Sequence, residues 1–450
     1  MSKNNKNLLL LEINECNFAY FFKVAKKFNN KNINNYFYKK KTLKTYTRDK
    51  QEGFNLDPWV QWVSVHTGLE SSKHRVFRIG QKLDGKFNQI WDALCARGFS
   101  CSIWGAFNAI LRKKKNIVNY MPDPWSFTQF AYPNNLNNLL KLSRYYAKTY
   151  PSSNKLKLIL FFIFFLKEII FSKTIIYILK NFLSFLLIFF KCRIKSFNLY
   201  FFLDLISLVH FINIEKKRNT HFNIIALNCF AHYQHNYWDE DRYEEIYYWY
   251  LKKFVEQFQI LEEKYNSVIV FNGFDQKKIH NEFHLRPKNF NNFFKILEIN
   301  FLKIEPDMTV GAFIFFKNLE DKINALNKIK LVSIFDYPLF EVVDFKNLNK
   351  IFVKIQLVFN TEIRNINQIN AQNYKDLIQK IKKNVNHNHI SPDSDTLQML
   401  FNNVHFRKST SRHTNIGNLY YKNFNFSKLN IKEGKFLNYK IYGDILAHFE

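Results

Sequence analysis

The chain of 450 residues is long enough for one large α/β domain with an insertion, or for two ordinary domains. Apolar residues make up 47% of the chain and aromatic residues 18%, with only 11 Gly and 9 Pro, which excludes a disordered or low-complexity protein. The net charge of +29 comes from scattered lysines without a recognition motif, so we expect no nucleic-acid partner and favour an anionic membrane surface.

The cysteines and the N-terminal residues indicate where the protein works. The cysteines are odd in number and lack any C-x-x-C spacing, so we predict reduced thiols at Cys16, Cys95, Cys101, Cys192 and Cys229. The apolar run Leu8–Leu11 is too short for the core of a signal peptide. We therefore predict a cytoplasmic protein, either soluble or peripheral at the inner face of the membrane.

Three short apolar runs each stop at polar residues, as buried parallel strands do when they open onto a site. The runs are Leu8–Ile13 before Asn14 and Glu15, Phe222–Leu227 before Asn228, and Ser267–Phe271 before Asn272. In open α/β sheets, ligands bind at the carboxyl ends of the strands. We therefore expect these polar residues to lie at one edge of a sheet.

Helices alternate with the strands. Asp57 and Pro58 are typical of a helix N-cap and first residue, and they begin a helix that ends at Gly68. A second helix is predicted at Phe87–Arg97 and a strand at Phe99–Trp104. The alternation predicts an α/β fold with a doubly wound, mainly parallel sheet.

The rest of the chain predicts a long amphipathic helix at Asp239–Tyr265 and a polar helix at Thr361–Asn384. The predicted organisation has five parts. They are the first part of the α/β core at 1–150, a hydrophobic helical insertion or cap at 151–215, the second part of the core at 216–288, a small α+β section at 289–390, and the C-terminal part of the core with His413 at 391–450.

The insertion contains an unusually apolar segment, Lys155–Cys192. Lys167, Glu168, Lys173 and Lys180 interrupt it, so no uncharged stretch reaches the ~18 to 20 residues that a spanning helix needs. Two interfacial helices that lie on a membrane are one interpretation. A pair of buried cap helices is the other.

One stretch carries a family resemblance. Trp59–Gly80, WVQWVSVHTGLESSKHRVFRIG, resembles the helix and loop of the type I phosphodiesterase and nucleotide pyrophosphatase branch of the alkaline phosphatase-like superfamily. In that branch a Thr-Gly pair is followed by a small loop and His-Gly, and here Arg75 replaces the last glycine. The resemblance implies an α/β/α sandwich, and it implies that His66 and His74 are packing or hydrogen-bonding residues.

Further landmarks follow in the family's order. Asn14 occupies the position of the family's first metal-binding aspartate, and Glu15 follows it. The segment from Asn228 to His232 resembles the family's Asp-x-x-Gly-His motif, which contains two metal ligands. The family's Ser-Asp-His stretch corresponds to Asn272, Gly273 and Phe274, so the aspartate and histidine ligands of that stretch are absent here. His413 resembles the histidine ligand that lies late in the family's sequence. The resemblance implies one remaining site for a divalent ion, which is zinc or manganese. The alternative is that no ion binds. The ligands of the site are drawn from Asn14, Glu15, Asn228, His232 and His413.

His235 offers an alternative, because it follows His232 by three residues and shares a helix face with it. A two-histidine metal pair and a stacked core histidine are both open for this residue.

The nucleophile is the second departure from the family. Its Thr or Ser position falls on Pro58, which has no nucleophilic atom. Asp57, at the positive end of the helix, is the candidate carboxylate nucleophile or metal ligand, and a simple N-cap is the alternative. A gap in the alignment would bring Thr45 or Thr47 to the site instead.

The resemblance implies a metal-dependent hydrolase or transferase that acts on a phosphate ester or phosphodiester, with a phosphorylated small molecule or glycan as its partner. The alternative is a catalytically degenerate protein that keeps the fold and binds an anionic ligand or partner.

Overall fold

The computed structural model describes residues 6–49, 56–149, 154–170, 172–192, 196–218, 220–306, 311–334, 337–346, 348–355, 358–359 and 403–450. The chain divides into two compact units. Unit 1 consists of Met1–Lys278 and Ser411–Glu450, and unit 2 of Ile279–Thr410.

The strands of the described residues, in chain order, are β1 Leu8–Ile13, β2 Lys41–Tyr46, β3 Cys101–Trp104, β4 Ile117–Met121, β5 Phe222–Leu227, β6 Ser267–Phe271, β7 Gln276–Pro287, β8 Lys303–Pro306, β9 Gly311–Phe315, β10 Ser333–Ile334, β11 Tyr337–Pro338, β12 Phe340–Asp344, β13 Lys350–Ile355, β14 Val358–Phe359, β15 Val404–His413, β16 Ile416–Lys422, β17 Ile431–Lys432 and β18 Lys435–Leu437.

The α-helices of the same residues are α1 Phe18–Lys27, α2 Lys31–Tyr38, α3 Pro58–Thr67, α4 Ser71–His74, α5 Ile90–Ala96, α6 Asn137–Thr149, α7 Lys155–Ile170, α8 Thr174–Lys191, α9 Ser196–Glu215, α10 Cys229–Tyr237, α11 Asp241–Glu262, α12 Phe290–Ile296, α13 Leu319–Leu331 and α14 Ile441–His448.

Nine of the described strands form the sheet of unit 1, in the order β17-β18-β2-β16-β6-β1-β5-β3-β4. β1 pairs in parallel with both β5 and β6, and Leu8 lies opposite Phe222 and Ser267. β3 and β4 extend the parallel part, whereas β16 runs antiparallel between β6 and β2. The predicted mainly parallel sheet is confirmed.

Helices cover both faces of this sheet. Side chains alternate between the faces of a strand, so Leu9 and Leu11 of β1 join an apolar cluster with α1, α9 and α11. Leu8 and Leu10 point the other way and join a second cluster with α3, α5 and α14. A strand that is apolar on both faces is typical of this arrangement, and the predicted α/β/α sandwich is confirmed.

The observed bounds agree best with prediction where an apolar run sets them. β1, β5 and β6 have the predicted bounds, and α3 starts at Pro58 and ends before Gly68, whose φ is 70°. α5 starts at Ile90 rather than Phe87, because the Asp92 carboxylate accepts the Gln89 backbone N–H at 3.0 Å. α11 starts later than predicted because Asp239 has a φ of 55°, which is not helical.

The predicted structural histidines and thiols are also found. His66 Nε2 lies 2.7 Å from Glu12 Oε1, and His74 Nε2 lies 2.9 Å from Ser64 Oγ. Both histidines are buried, so their predicted hydrogen-bonding role is confirmed. The five cysteines are free thiols, as predicted.

The helices α6 to α9 lie between β4 and β5, where the sequence predicts a hydrophobic insertion. Among the described helices, Thr174–Lys191 is long and apolar enough to cross a membrane, with a mean hydropathy of 1.7, and 28% of it is buried inside the protein. Length and composition alone support this, and core helices of soluble proteins meet the same criterion.

Unit 2 has its own sheet and core. β12, β13, β9 and β8 form an antiparallel sheet in that order. Phe293 of α12 and Ile329 of α13 pack into a cluster with Ile314 and Val353 of this sheet. The predicted polar helix Thr361–Asn384 lies outside the described residues.

Gly417 of β16 is expected to tolerate no side chain. A Cβ atom there would lie 2.7 Å from Asn272 Oδ1 and 2.8 Å from both Gly273 O and Thr45 Oγ1. We expect Gly417→Ala to lower the free energy of unfolding by about 1–3 kcal/mol, measured by denaturant titration. The matched control is Gly443→Ala on α14, where a Cβ meets nothing within 4 Å and the helix gains about 0.5–1 kcal/mol. An equal response of the two variants would contradict the packing around Gly417.

Candidate metal centre

Polar residues collect at the carboxyl edge of the sheet. Beyond β1 the backbone N–H of Asn14 donates to Leu227 O at 2.9 Å, and that of Glu15 donates to Asn272 O at 3.0 Å. Glu15 has a φ of 54°, so the chain turns out of the strand at this residue. The ends of β1, β5 and β6 therefore lie side by side, as the sequence predicts.

Glu15, His235 and His413 form a compact group, and we call it the EHH group. Its possible ligand atoms all lie within 4.8 Å of one another. Glu15 Oε2 is 2.7 Å from His235 Nε2 and 2.8 Å from His413 Nε2, and the two imidazole nitrogens are 3.2 Å apart. A carboxylate from the end of β1 thus meets one histidine of α10 and one of β15.

Hydrogen bonds on the outer side orient both imidazoles. His413 Nδ1 donates to the carbonyl of Leu56. His235 Nδ1 lies 3.1 Å from Ser411 Oγ, whose proton goes to Gln276 Oε1 at 2.5 Å, so Nδ1 is the donor. The hydrogen bonds leave both Nε2 atoms directed at the centre, as second-shell partners do for metal-binding histidines.

Gln276 closes this network around Glu15. Its Nε2 donates to Glu15 Oε2 at 2.7 Å and to Ala231 O at 3.3 Å, while its Oε1 accepts from Ser411. The amide therefore fixes the position of the carboxylate.

The group is strongly coupled electrostatically. Burial would raise the pKa of Glu15, but the charges of His413 and His235 and their hydrogen bonds outweigh it, and the pKa lies well below its usual value. For His413, burial opposes the imidazolium, yet Glu15 and the charge of Asp57 raise its pKa to about 9. Without a metal, the arrangement therefore favours the ion pair of the Glu15 carboxylate and the His413 imidazolium, and a divalent ion would take the place of that proton.

Solvent reaches the group from the histidine side. The side chain of Glu15 is 3% exposed, whereas those of His413 and His235 are 17% and 24% exposed. The carboxylate thus forms the floor of the group, and a further ligand has access to it.

The donor set fits a divalent ion. Zinc–ligand bonds of ~2.0–2.1 Å at tetrahedral angles put ligand atoms about 3.3 Å apart. The imidazole separation of 3.2 Å already meets this, and the Glu15 oxygen would move back by about half an ångström from its observed contacts.

Asn14 and Asn228, predicted as ligands, lie beside the EHH group. Asn14 Nδ2 donates to Glu15 Oε1 at 3.1 Å and to Asn228 Oδ1 at 2.7 Å. Trp62 Nε1 donates to Asn14 Oδ1 at 2.7 Å. Asn14 thus supports the second oxygen of Glu15 and is itself held by Asn228, and the role of the two amides as ligands stays a prediction.

His232, the other predicted ligand, lies outside the EHH group. Its Nε2 accepts from Asn228 Nδ2 at 3.2 Å. Its ring stacks on Tyr200 of α9, with centroids 4.9 Å apart and planes at 16°. The structure therefore brings together Glu15 and His413 of the predicted set, and it adds His235 where the sequence favours His232.

Asp57 lies close to the EHH group. It precedes α3, but its side chain makes no N-cap hydrogen bond to that helix. Its charge contributes to the raised pKa of His413, and the neighbouring Leu56 carbonyl binds His413 Nδ1. The start of α3 is therefore tied to His413.

The threonines named as alternative nucleophiles have hydroxyl groups that are hydrogen-bonded or buried. Thr47 Oγ1 donates to Asp49 Oδ2 at 3.2 Å. Thr45 is fully buried, and within the described residues its hydroxyl has no hydrogen-bond partner.

The end of β6 is followed by Phe274, at a position where the motif resemblance implies a ligand. The Phe274 ring packs 5.1 Å from that of His413. Asp275 follows, and its carboxyl accepts from Asn272 at 2.5 Å and from Asn418 at 2.9 Å. Burial, opposed by these hydrogen bonds, raises the pKa of Asp275 to about 7. No motif in the sequence points to Asp275.

Two supporting residues were also missed, Ser411 and Gln276. Ser411 precedes His413 by two residues on β15, and side chains two apart share one face of a strand. That spacing is a signal for Ser411. The sequence holds no comparable signal for Gln276.

Comparisons with known proteins add likenesses to solved structures. No family model matches the chain, and no curated protein matches it either. The chain is similar to murine ectonucleotide pyrophosphatase/phosphodiesterase 5, at 10% identity over 98% of this chain and 94% of that one, with a TM-score of 0.45. The human protein of that name gives 10% identity, coverage of 98% and 94%, and a TM-score of 0.43. Phosphonoacetate hydrolase from Sinorhizobium meliloti 1021, solved with phosphonoformate, gives 7% identity, coverage of 99% and 96%, and a TM-score of 0.42.

Proposed function

We propose that the chain is a metal-dependent hydrolase or transferase that acts on a phosphate ester or phosphodiester, with Glu15, His235 and His413 as metal ligands. The observation that carries this proposal is the EHH group, in which outer hydrogen bonds direct both imidazole Nε2 atoms at one carboxylate oxygen. Three protein ligands with solvent access are typical of catalytic metal sites rather than structural ones.

Zinc and manganese are the proposed ions. Two imidazoles and a carboxylate suit zinc, and the carboxylate oxygen is also a suitable ligand for manganese. A divalent ion would supply Lewis-acid polarisation of a phosphoryl oxygen.

Asp57 is the proposed nucleophile. The positive end of α3 favours its ionised form, and His413 lies close to it. A carboxylate oxygen of Asp57 would form a bond to phosphorus while the bond from phosphorus to the leaving oxygen breaks, and the departing alkoxide takes a proton from water. Attack by water or by an acceptor alcohol then releases the phosphoryl group and restores Asp57.

The proposed substrate is a phosphorylated small molecule or a glycan phosphate, as the motif resemblance implies. The solvent-exposed side of the EHH group supports a substrate that approaches from outside the sheet. We also propose a cytoplasmic location, which the five free thiols support.

The second candidate function is a catalytically degenerate protein that binds an anion. Pro58 occupies the family's nucleophile position. His413, with a pKa of about 9, carries a positive charge at neutral pH even without a metal. An imidazolium at an accessible edge is a suitable contact for a phosphate group.

Hydrolysis of bis(4-nitrophenyl) phosphate by the purified full chain tests the first candidate. With zinc or manganese added we expect turnover, and Asp57→Asn is expected to lower kcat by at least about 100-fold, because the nucleophile is lost. Metal content should be unchanged in this variant. Asp84→Asn is the matched control, since its side chain is 53% exposed in a loop, and it should behave as the wild type.

Two outcomes would decide against these assignments. Turnover that survives Asp57→Asn removes Asp57 as the nucleophile. Protein that binds metal and phosphate but shows no turnover with any aryl phosphate supports the degenerate binding protein instead.

A further inference from the structure

The helices α7 and α8 expose an unusually apolar surface, and we call it the α7–α8 face. On α8, Leu179 is 69% exposed, Leu183 68% and Leu187 65%. On α7, Leu156 is 77% exposed and Ile163 56%. Soluble monomers seldom leave so many neighbouring large apolar side chains in water, so this face is a candidate interaction surface.

The opposite side of α8 is fixed to the body of unit 1. Ile178 and Phe189 are buried, and the Phe185 ring stacks 4.3 Å from Phe202 of α9. Trp249 of α11 donates its indole N–H to Ser184 Oγ at 3.2 Å. Since α8 packs along its length on α9 and α11, it presents only one side to its surroundings.

The same two-sided arrangement holds for α7. Phe165 and Ile169, four residues apart, are buried, whereas Ile159 and Ile163 are exposed on the other side. Both helices therefore turn an apolar side outward while an apolar side is held by the protein. A helix held in this way is suited to lie on a membrane and not to cross it.

Lysines accompany the apolar side chains. Exposed lysines stand at Lys155, Lys157, Lys167, Lys173, Lys180 and Lys191, of which Lys191 pairs with Glu245 of α11 at 2.6 Å. The single acidic residue of α7 and α8, Glu168, accepts a hydrogen bond from Asn135 at 2.5 Å. Lysine stems can extend along apolar surface while their ammonium groups reach lipid phosphates.

We propose that the α7–α8 face docks the protein on an anionic lipid bilayer, with both helices in the plane of one leaflet. The apolar side chains enter the boundary between headgroups and acyl chains, and the lysines bind the phosphates above it. The charge decides between occupants, because a second copy of the chain would bring a second set of lysines against the first. This inference does not depend on the proposed catalytic function.

Flotation of the purified full chain with vesicles tests the proposal. We expect the wild type to float with phosphatidylcholine vesicles that contain phosphatidylserine, and to float less with phosphatidylcholine alone or at high salt. The double variant Leu179→Asp, Leu183→Asp should reduce the bound fraction by at least about tenfold. Two exposed apolar anchors are lost in this variant, and the aspartates that replace them are repelled by the negatively charged lipid.

Leu429→Asp is the matched control, since Leu429 is 90% exposed and lies outside the α7–α8 face. It should float as the wild type does. Thermal melting of both variants checks that folding is intact, which is expected because the replaced side chains are exposed.

Other results would overturn the proposal. Wild-type protein that stays at the bottom of the gradient would do so, as would equal flotation of the double variant. A wild-type dimer in sedimentation that the double variant dissociates, without vesicle binding, would assign the face to a second copy. Protein that resists alkaline extraction, and in which added protease cleaves the chain on one side of α8 while the other side is protected, would indicate a spanning helix instead.

Discussion

Replacing Glu15 by Gln, or His235 or His413 by Ala, is expected to abolish the stabilisation of the protein by zinc. Each substitution removes one of the three donors of the EHH group. A ligand at 1,000 times its Kd stabilises the folded state by about 4 kcal/mol, which corresponds to a Tm difference of several degrees for a chain of this size. Thermal melting with zinc and with chelator measures the difference, and metal analysis of the purified protein should show one equivalent lost.

His232→Ala is the informative control. His232 lies on the same helix as His235, but its Nε2 accepts from Asn228 and its ring stacks on Tyr200. We expect this variant to keep the zinc-dependent Tm difference. If His232→Ala loses it and His235→Ala keeps it, the ligand assignment is wrong and the pair favoured by the sequence is restored. A wild type that responds to neither zinc nor chelator would refute the metal centre.

The sequence alone predicts part of the fold and part of the candidate site. The strands β1, β5 and β6 were predictable because each is a continuous apolar run, and their ends had to meet at one edge of a parallel sheet. Glu15 and His413 follow from that arrangement together with the family resemblance. The fold and two of the three members of the EHH group could therefore be named without a structure.

The sequence offers His235 as an alternative but cannot choose it over His232, because the choice depends on the rotation of α10 about its own axis. Three residues along a helix turn through about 300°, so His232 and His235 are neighbours on one face and either could point at Glu15. Contacts from a distant helix set the rotation, since Asp204 of α9 accepts the backbone N–H groups of Asn228 and Cys229, both at 3.2 Å. Such contacts between residues far apart in sequence leave no local pattern.

β2 and β16 were also beyond sequence reasoning. Half of the β2 side chains are exposed, and polar residues dominate Lys41–Tyr46. Its place in the sheet comes from antiparallel pairing with β16, where Thr45 lies opposite Gly417. Non-local pairing of this kind outweighs the local preference of the segment.

The second large effect is expected at the pair of Glu12 and His66 in the core. Both side chains are buried, at 0% and 1% exposure, and one hydrogen bond of 2.7 Å joins them. Within the described residues, Glu12 Oε2 and His66 Nδ1 have no further partner. His66→Leu would leave the carboxyl group buried without its partner. At pH 7, protonating a carboxyl of ordinary pKa costs about 3.7 kcal/mol, so we expect the free energy of unfolding to fall by about 3 kcal/mol.

The pH dependence of this loss identifies its cause. Burial raises the pKa of Glu12, and the charge and hydrogen bond of His66 oppose that rise. A raised carboxyl pKa means that its contribution to stability is fully present below the unfolded value near 4.5 and is lost as pH rises through the folded value. The deficit of His66→Leu should therefore shrink as pH falls toward 4.5, because the protonated carboxyl no longer needs a partner.

Glu12→Gln, which keeps a polar group beside His66 without the charge, should gain stability relative to the wild type as pH rises. Denaturant titrations across this pH range measure both trends, and a deficit of His66→Leu that is independent of pH would show that lost packing, and not the unpaired carboxylate, causes it.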